Sequence, residues 1–341
     1  MFGSLSPAII GLLVMLLVVA AFGYDARLVA GEFGAAVFGR PDRAAAVLLV
    51  SCPLILLGLA VVLAFRCGVW NIGAEGQYLL GAALAAVAAA QVAAWPRGIA
   101  VGVVLLAGTI GGASWAGLAA ALKRWRRVQE VLSTILLNFV AIQLVTILVR
   151  GPLVDPLSAD RDSTANIPTS AELPYLIATA GLHAGIVVAV VLAPSLSIAL
   201  MRTVWGFRTR VVGANPIAAE FAGIQTGLYS SGAFIVSGAL AGLAGAIELA
   251  GNTHHLTAGF GCGYGYTAIA VGLLARLRPM AVIPAAVFFA SLEVGTRGLQ
   301  KSPDIALSEF PTVLTWVAQG TVILMTVLFT RTRLAGSGGV A

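Results

Sequence analysis

Long apolar runs separated by short polar gaps dominate the chain. Because a helix needs about 20 mainly apolar residues to cross the hydrocarbon core of a bilayer, eight runs each predict one membrane-crossing helix. They are 5–23, 44–65, 72–93, 98–122, 131–149, 179–201, 228–250 and 311–330. The apolar stretch 259–295 is interrupted by Arg276, Arg278 and Pro279, and it predicts two further helices joined by a tight basic turn. The pattern therefore predicts an all-α polytopic membrane protein with about ten transmembrane helices, which form one domain over 1–341.

Composition excludes several other classes of protein. Hydrophobic residues make up 59% of the chain and charged residues 10%, whereas soluble domains carry about 25% charged residues. A water-soluble enzyme, a disordered chain and a disulfide scaffold are therefore excluded. The cysteines, Cys52, Cys67 and Cys262, show neither CxxC pairing nor metal-ligand spacing. The first apolar run lacks a basic n-region, so it predicts a retained helix and not a cleaved signal peptide.

The distribution of basic residues predicts how the chain is oriented. One alternating set of gaps holds twelve of the 20 Lys and Arg residues, and the other set holds eight. Because cytoplasmic loops carry the excess of Lys and Arg, the first set and both termini are predicted to be cytoplasmic. The gap 66–76 leaves two alternatives, a cytoplasmic turn or a break inside the membrane. A break would be tolerated only where protein or a water-filled cavity covers the backbone.

The first polar motif lies in this gap and in the start of the next apolar run. Asn71, Glu75 and Gln77 stand between two long apolar runs, where an unpaired carboxylate costs a few kcal/mol. Asn71 and Glu75 are four residues apart and would share one face of a helix. The motif indicates either the lining of a polar translocation path or a polar clamp between helices. The spacing alone does not choose between them.

A second polar motif opens the run at 131–149. Glu130 follows a basic cluster and suits a helix N-terminus, while Ser133 and Thr134 can bond to carbonyl groups one turn earlier. Asn138 lies one turn beyond Thr134. A single Asn in a transmembrane helix more often bonds to another helix than to a ligand, and that interpretation is favoured here.

A short helix is predicted in the basic gap before 228–250. Asn215 is suited to the N-cap, Pro216 to the first helical position and Gly223 to a left-handed helix end. About two turns lie between them, too few to cross a membrane or to be stable alone. Ile217, Phe221 and Ile224 predict one apolar face. A docked partner protein is favoured over a helix that rests on the membrane surface.

The remaining motifs give less information about function. The glycine-rich stretch 259–267 lacks the Gly-Lys-Ser/Thr of a phosphate-binding loop and predicts a closely packed helix start. The spacings Gly108/Gly112 and Gly238/Gly242 are typical of helix packing. His183, His254 and His255 predict surface histidines. The loop 150–178 is predicted to be external, either as a docking surface or as a connector.

Three stretches, taken in order, resemble a known family. Asn71-Ile72-Gly73-Ala74-Glu75-Gly76-Gln77, Glu130-Val131-Leu132-Ser133-Thr134-Ile135-Leu136-Leu137-Asn138 and Gly213-Ala214-Asn215-Pro216-Ile217-Ala218-Ala219-Glu220-Phe221-Ala222-Gly223-Ile224 are similar to permease subunits of bacterial ABC importers. The group is the branched-chain amino acid/ribose type, and within it the nucleoside-type permeases. Cys67-Gly68-Val69-Trp70 departs from the Gly-Leu-Phe that is common in relatives. The resemblance covers nearly the whole chain.

The resemblance implies an importer subunit of the bacterial inner membrane that is not itself an enzyme. It implies an external solute-binding protein, a second and different permease subunit, and a cytoplasmic ATPase that binds ATP and Mg²⁺, while this chain binds no cofactor, metal or nucleic acid. A nucleoside is the expected substrate. The expected path residues are Asn71, Glu75, Gln77, Ser133 and Asn138. The stretch 213–224 matches the helix that couples to the ATPase, with Gly213, Asn215, Pro216, Ala219, Glu220, Phe221 and Gly223 as the expected coupling residues.

Three other functions are weighed against this expectation. A permease of the same type for a simple sugar or another small metabolite is the nearer alternative. An ion-coupled carrier is the more distant one, since such carriers usually show more buried acids or inverted repeats. A membrane-embedded enzyme is disfavoured because the sequence shows no Walker A motif, catalytic triad signature or metal cluster.

Overall fold

The computed structural model describes residues 5–21, 24–126, 128–157, 161–261, 263–300, 317–322 and 324–325. Most of these residues are helical. The named α-helices are α1 (Leu5–Ala21), α2 (Ala26–Phe38), α3 (Pro41–Arg66), α4 (Ala74–Gln91), α5 (Arg97–Arg126), α6 (Glu130–Arg150), α7 (Gly185–Arg202), α8 (Val204–Ala214), α9 (Pro216–Phe221), α10 (Thr226–Glu248), α11 (Tyr264–Leu274) and α12 (Pro279–Gln300). Residues 317–322 are also helical. A small hairpin pairs β1 (Tyr175–Ile177) with β2 (Leu182–His183) in antiparallel fashion.

The helices confirm a polytopic α-helical membrane protein. Among the described residues, six helices are long and apolar enough to cross a bilayer: α3, α5, α6, α7, α10 with its extension to Thr253, and α12. The predicted helix α4 is present but opens on polar residues, and α11 has only 11 residues, about 16 Å of helix. The predicted span 311–330 lies mostly outside the described residues. The total of about ten crossings therefore stays a prediction.

Glycines allow α4, α5 and α10 to pack with their backbones in contact. A Cβ added at Gly242 would lie 2.2 Å from the carbonyl oxygen of Gly108, and one at Gly112 would lie 2.2 Å from that of Gly238. A Cβ at Gly81 would lie 2.3 Å from the Cα of Gly242. Small residues permit this close approach where lipid supplies no hydrophobic drive for helix association. The predicted packing role of the glycine pairs is confirmed.

Three of the basic gaps meet at one end of the bundle, which we call the basic end. Arg66, the last residue of α3, donates from Nε to the carbonyl oxygen of Leu277 at 2.7 Å. Gly213, at the end of α8, packs against the carbonyl oxygen of Arg66 and against Gly68. The chain therefore brings the gaps after α3, α8 and α11 to the same end, as the alternation of basic gaps requires.

The loop 150–178 lies at the opposite end, which we call the loop end. The amide of Leu173 donates to the carbonyl oxygen of Ala250 at 2.8 Å, and the amide of Ile167 donates to that of His254 at 2.8 Å. Arg97, at the start of α5, donates to the carbonyl oxygen of Glu172. Residues 167–173 of the long polar loop are thus attached to the start of α5 and to the segment that follows α10.

Two helices were not predicted from the apolar pattern. Helix α2 is capped by Asp25, whose Oδ1 accepts from the amide of Arg27 at 2.8 Å. Helix α8 is capped by Thr203, whose Oγ1 accepts from the amide of Gly206 at 3.0 Å. Both helices contain charged residues and are shorter than a membrane span. The capping residues therefore predict these two helices better than the apolar pattern does.

Candidate functional site

The connection between α3 and α4 is a break inside the bundle. Asn71 is 0% exposed and donates from Nδ2 to Ser237 Oγ at 2.9 Å. Ser237 lies near the middle of α10, so residues 67–73 enter from the basic end and reach the middle of the helix bundle. Of the two alternatives left open for this gap, the described structure favours an internal break. Protein covers it, as irregular backbone at membrane depth requires.

Asn71 and Glu75 do not share a helix face, and that prediction is wrong. Helix α4 begins at Ala74, so Asn71 precedes it and its side chain turns back. Its Nδ2 donates to Gln77 Oε1 at 2.9 Å, and Gln77 Nε2 donates to Asn71 Oδ1 at 3.0 Å. The side-chain amides of Asn71 and Gln77 thus form a reciprocal pair that connects the break to the first turn of α4. Glu75 faces another part of the chain.

Glu75 caps the start of α11. Its Oε1 accepts from the amide of Gly263 at 2.7 Å and its Oε2 accepts from the amide of Gly265 at 2.6 Å. A carboxyl group suits a helix N-terminus because the first amides have no intrahelical acceptor. A Cβ at Gly265 would lie 2.3 Å from the backbone nitrogen of Glu75. The glycine-rich stretch therefore binds an internal carboxyl group.

Asn138 connects α6 to the same place. Its Oδ1 accepts from the amide of Gly76 at 2.9 Å, and its Nδ2 donates to the carbonyl oxygen of Ile72 at 2.9 Å. Nδ2 also lies 3.3 Å from the hydroxyl of Tyr266 in α11. This interhelical bonding agrees with the interpretation favoured from sequence. Ser133 is buried near the start of α6 and donates to the carbonyl oxygen of Glu130.

We call Asn71, Glu75, Gln77, Asn138 and Ser237 the polar junction. All five side chains are buried, and their bonds join the break before α4 to α6, α10 and α11. No group of three or more His, Cys, Asp or Glu residues suited to a metal ion occurs among the described residues. The junction can therefore hold interrupted helices together and present hydrogen-bonding groups where those helices separate.

The predicted short helix is present at the basic end as α9. Asn215 Oδ1 accepts from the amide of Ala218 at 3.1 Å, Pro216 is the first helical residue, and Gly223 has φ +76°. These local predictions are confirmed. Ile217 is 66% exposed and Phe221 is 91% exposed. The predicted apolar face is smaller than expected, because Ile224 is partly buried against the neighbouring core.

The base of α9 is fixed to the bundle although its apolar side chains are exposed. Ala219 is fully buried, and Glu220 Oε1 accepts from Thr226 Oγ1, in the first turn of α10, at 2.7 Å. On the other side, Gly213 leaves room for the carbonyl oxygen of Arg66, which would lie 2.2 Å from an added Cβ. A force on α9 would therefore reach α10 directly and α3 through α8.

His183 is buried at the loop end, so the prediction of a surface histidine is wrong for this residue. It is 0% exposed, and its Nδ1 accepts from the amide of Gly185 at 3.1 Å. Burial, and secondarily the charge of His254, lowers the pKa of His183 from 6.5 to about 4. The neutral ring belongs to the packed interior, since a Cβ at Gly251 would lie 2.5 Å from it.

Comparison with known proteins gives a family match over most of the chain. The family model described as branched-chain amino acid transport system / permease component matches residues 43–329. The glucose ABC transporter permease protein of Haloferax volcanii is 37% identical over 287 residues, 82% of this chain and 74% of that protein. The guanosine ABC transporter permease protein of Bacillus subtilis is 34% identical over 249 residues, 71% of this chain and 70% of that protein.

A third relative extends over more of the chain. The nucleoside ABC transporter permease protein of Lactococcus lactis is 27% identical over 299 residues, 85% of this chain and 82% of that protein. No solved structure matches the chain.

Proposed function

Because the chain belongs to the permease family of branched-chain amino acid transport systems, we propose that it is the membrane subunit of an ATP-driven importer for a nucleoside. The match over residues 43–329 carries this proposal. Two of the three relatives reported are named for guanosine or nucleosides, which favours a nucleoside. The 37% identical relative is named for glucose, which makes a simple sugar the second candidate.

We propose that a cytoplasmic ATPase subunit binds α9. Ile217 and Phe221 are large apolar side chains exposed in a region of basic residues, and exposed apolar groups of this kind are typical of protein interfaces. ATP and Mg²⁺ would be held by that subunit and not by this chain. Since Gly213 of the adjoining α8 packs on Arg66 of α3, and Glu220 of α9 bonds to Thr226 of α10, displacement of α9 would be transmitted to helices that meet the polar junction.

The proposed orientation in the membrane follows from the basic end and the loop end of the bundle. The basic end is cytoplasmic, both termini lie on that side, and the loop 150–178 faces an external binding protein that delivers the solute. The domain 1–341 crosses the inner membrane about ten times and pairs with a second, different permease subunit. The excess of Lys and Arg in the gaps at the basic end supports this orientation.

We propose that the polar junction borders the solute path. Asn71, Glu75, Gln77 and Asn138 bond to one another or to backbone across the interrupted helices, while Ser133 lies nearer the basic end. Separation of α4 from α11 would free these groups to bond to a polar solute. Discontinuous helices near mid-membrane are a recurring way to build such sites.

Reconstitution tests the proposed function. The chain, a second permease and an ATPase from the same organism are placed in liposomes with the external binding protein, and uptake of labelled guanosine and glucose is measured with ATP, with a non-hydrolysable analogue and without the ATPase. We expect uptake only with hydrolysable ATP and the ATPase. Equal uptake by this chain alone, driven by a proton or sodium gradient, would show an ion-coupled carrier instead.

A further inference from the structure

One side of the break between α3 and α4 is not covered by the described residues. Val69 and Asn71 are 1% and 0% exposed, whereas Trp70 between them is 55% exposed and Ile72 is partly exposed. Burial thus alternates along the break. Its inward side carries Asn71 into the polar junction, and its outward side presents Trp70 and Ile72 to whatever surrounds the chain.

The outward side of the break lies inside the membrane and not at its surface. Asn71 and the carbonyl oxygen of Ala60 both bond to the hydroxyl of Ser237, at 2.9 and 2.8 Å. Ala60 precedes the end of α3 by about 9 Å of helix, and Ser237 follows the start of α10 by about 16 Å. Trp70 and Ile72, the neighbours of Asn71, therefore lie at the depth of the hydrocarbon core, which is about 30 Å thick.

Lipid cannot satisfy the polar groups at this place. The backbone N–H groups of Trp70 and Ile72 donate to no described residue, and neither does the indole N–H of Trp70. Irregular backbone at membrane depth occurs only where protein or a water-filled cavity covers it, because hydrocarbon offers no acceptor. The outward side of the break therefore needs a cover that supplies hydrogen-bond acceptors.

Tyr266 extends the same surface onto α11. Asn138 Nδ2 lies 2.9 Å from the carbonyl oxygen of Ile72 and 3.3 Å from the hydroxyl of Tyr266. The tyrosine therefore reaches the break, although it is 40% exposed. At the end of α3, the ring of Trp70 contacts that of Phe65 with centroids 4.8 Å apart. We call Trp70, Ile72 and Tyr266 the break face.

The position of the break face limits what can cover it. An ATPase at the basic end and a binding protein at the loop end lie outside the membrane and do not reach this depth. Within the chain, the helical residues 317–322 pack against α1 instead, since a Cβ at Gly11 would lie 2.4 Å from the side chain of Val322. These observations favour a second membrane-embedded chain as the cover.

We propose that the second permease subunit of the importer packs on the break face, with Trp70 and Tyr266 as the central contacts. This inference rests on the proposed function, which supplies the identity of the second chain. Tyr and Trp are enriched at protein interfaces because each combines a large apolar ring with a hydrogen-bonding group. A cavity filled with water alone would leave both rings and Ile72 in contact with water. Because Asn71 and Asn138 lie directly behind this face, the second subunit borders the polar junction.

Photo-cross-linking in the complete reconstituted transporter tests this interface. The photoreactive aromatic residue p-benzoylphenylalanine replaces Trp70 or Tyr266, and the cross-linked products are identified by mass spectrometry. Ile198 is the control position, because it is 60% exposed in the apolar helix α7, which packs on α3 and α12. Size-exclusion chromatography confirms that each variant is folded, and ATP-driven uptake is measured in the same proteoliposomes. We expect Trp70 and Tyr266 to cross-link to the second permease, and Ile198 to give lipid adducts only.

Truncation of the aromatic contact gives a second measurement. Trp70→Ala should raise the dissociation constant of the permease pair about tenfold, as expected when an interface anchor is truncated, while Ile198→Ala should leave it unchanged. The constant is measured by fluorescence energy transfer between labelled subunits in proteoliposomes of increasing lipid content. An unchanged constant in Trp70→Ala overturns Trp70 as a central contact.

Three cross-linking results overturn the interface: lipid adducts alone at Trp70 and Tyr266, cross-links only within this chain, and cross-links only to a second copy of it. The proposed function fails separately. Cross-links to the second permease, together with an absence of ATP-driven uptake by the unmodified transporter, keep the interface and overturn the proposed function instead.

Discussion

Removal of the Glu75 carboxyl group should release the start of α11. In Glu75→Ala the amides of Gly263 and Gly265 both lose their acceptor in a buried place, and each such loss costs about 1–3 kcal/mol. In Glu75→Gln one oxygen remains, so one amide keeps an acceptor and the other faces an NH₂ group. The expected local cost is therefore about 2–6 kcal/mol for Ala and about 1–3 kcal/mol for Gln.

The measurement must report on the start of α11 alone, because the change in the free energy of unfolding of the whole protein has two opposing parts. Replacing a buried carboxylate also removes the cost of desolvating its charge, which offsets part of the loss in the free energy of unfolding. Hydrogen exchange at the amides of 263–268, followed by mass spectrometry in detergent or nanodiscs, isolates the local part. For Glu75→Gln we expect exchange about 5–150 times faster than in the wild type, the factor that corresponds to about 1–3 kcal/mol.

Glu130→Gln is the matched control for this experiment. Glu130 pairs with Lys123 at 2.8 Å and its side chain is 16% exposed, so it also loses a charge from a partly buried place. It begins α6 and makes no described contact with α11. Exchange at 263–268 should stay at the wild-type rate in this variant. Unchanged exchange at 263–268 in Glu75→Ala would refute the account of Glu75 as the cap of α11.

Two further predictions concern packing and pH. In Gly242→Ala the new Cβ would lie 2.2 Å from the carbonyl oxygen of Gly108, so we expect no monodisperse protein to accumulate. In the control Gly117→Ala the new Cβ meets nothing within 4 Å, so this variant should behave as wild type in size-exclusion chromatography. His183 stays neutral in the folded protein down to about pH 4, while the unfolded chain takes up its proton near pH 6.5. Wild-type stability should therefore fall as the pH drops from 6.5 to 4, and thermal unfolding of His183→Asn should show a smaller fall over that interval; an identical pH dependence would contradict this.

Sequence reasoning identified the features that depend on nearby residues. The apolar runs locate most of the long helices because a bilayer demands about 20 apolar residues per crossing. Asn215, Pro216 and Gly223 define α9 correctly because capping involves residues within one or two turns. Helix α2 was not predicted because its charged residues interrupt the apolar pattern.

The features that depend on distant residues could not be predicted in this way. Glu75 bonds to amides 188 and 190 residues away, and Asn71 bonds to Ser237, 166 residues away. The spacing of Asn71 and Glu75 suggested a shared helix face, but the break before Ala74 separates them. Glu248 stands out in sequence as an acid within an apolar run, but only the packed helices show that it is buried, as Tyr78 is.

The measurement that tests the central proposal most directly is the accessibility of α9 to a membrane-impermeant maleimide. Phe221→Cys places a thiol where the native side chain is 91% exposed. Cys52 and Cys67 are buried, and Cys262→Ser in both the variant and the background chain removes the third native thiol. We expect labelling in inside-out vesicles, little labelling in right-side-out vesicles, and protection when the ATPase is bound. Labelling from the outside, or no protection by the bound ATPase, would contradict the proposal that α9 is the cytoplasmic docking site.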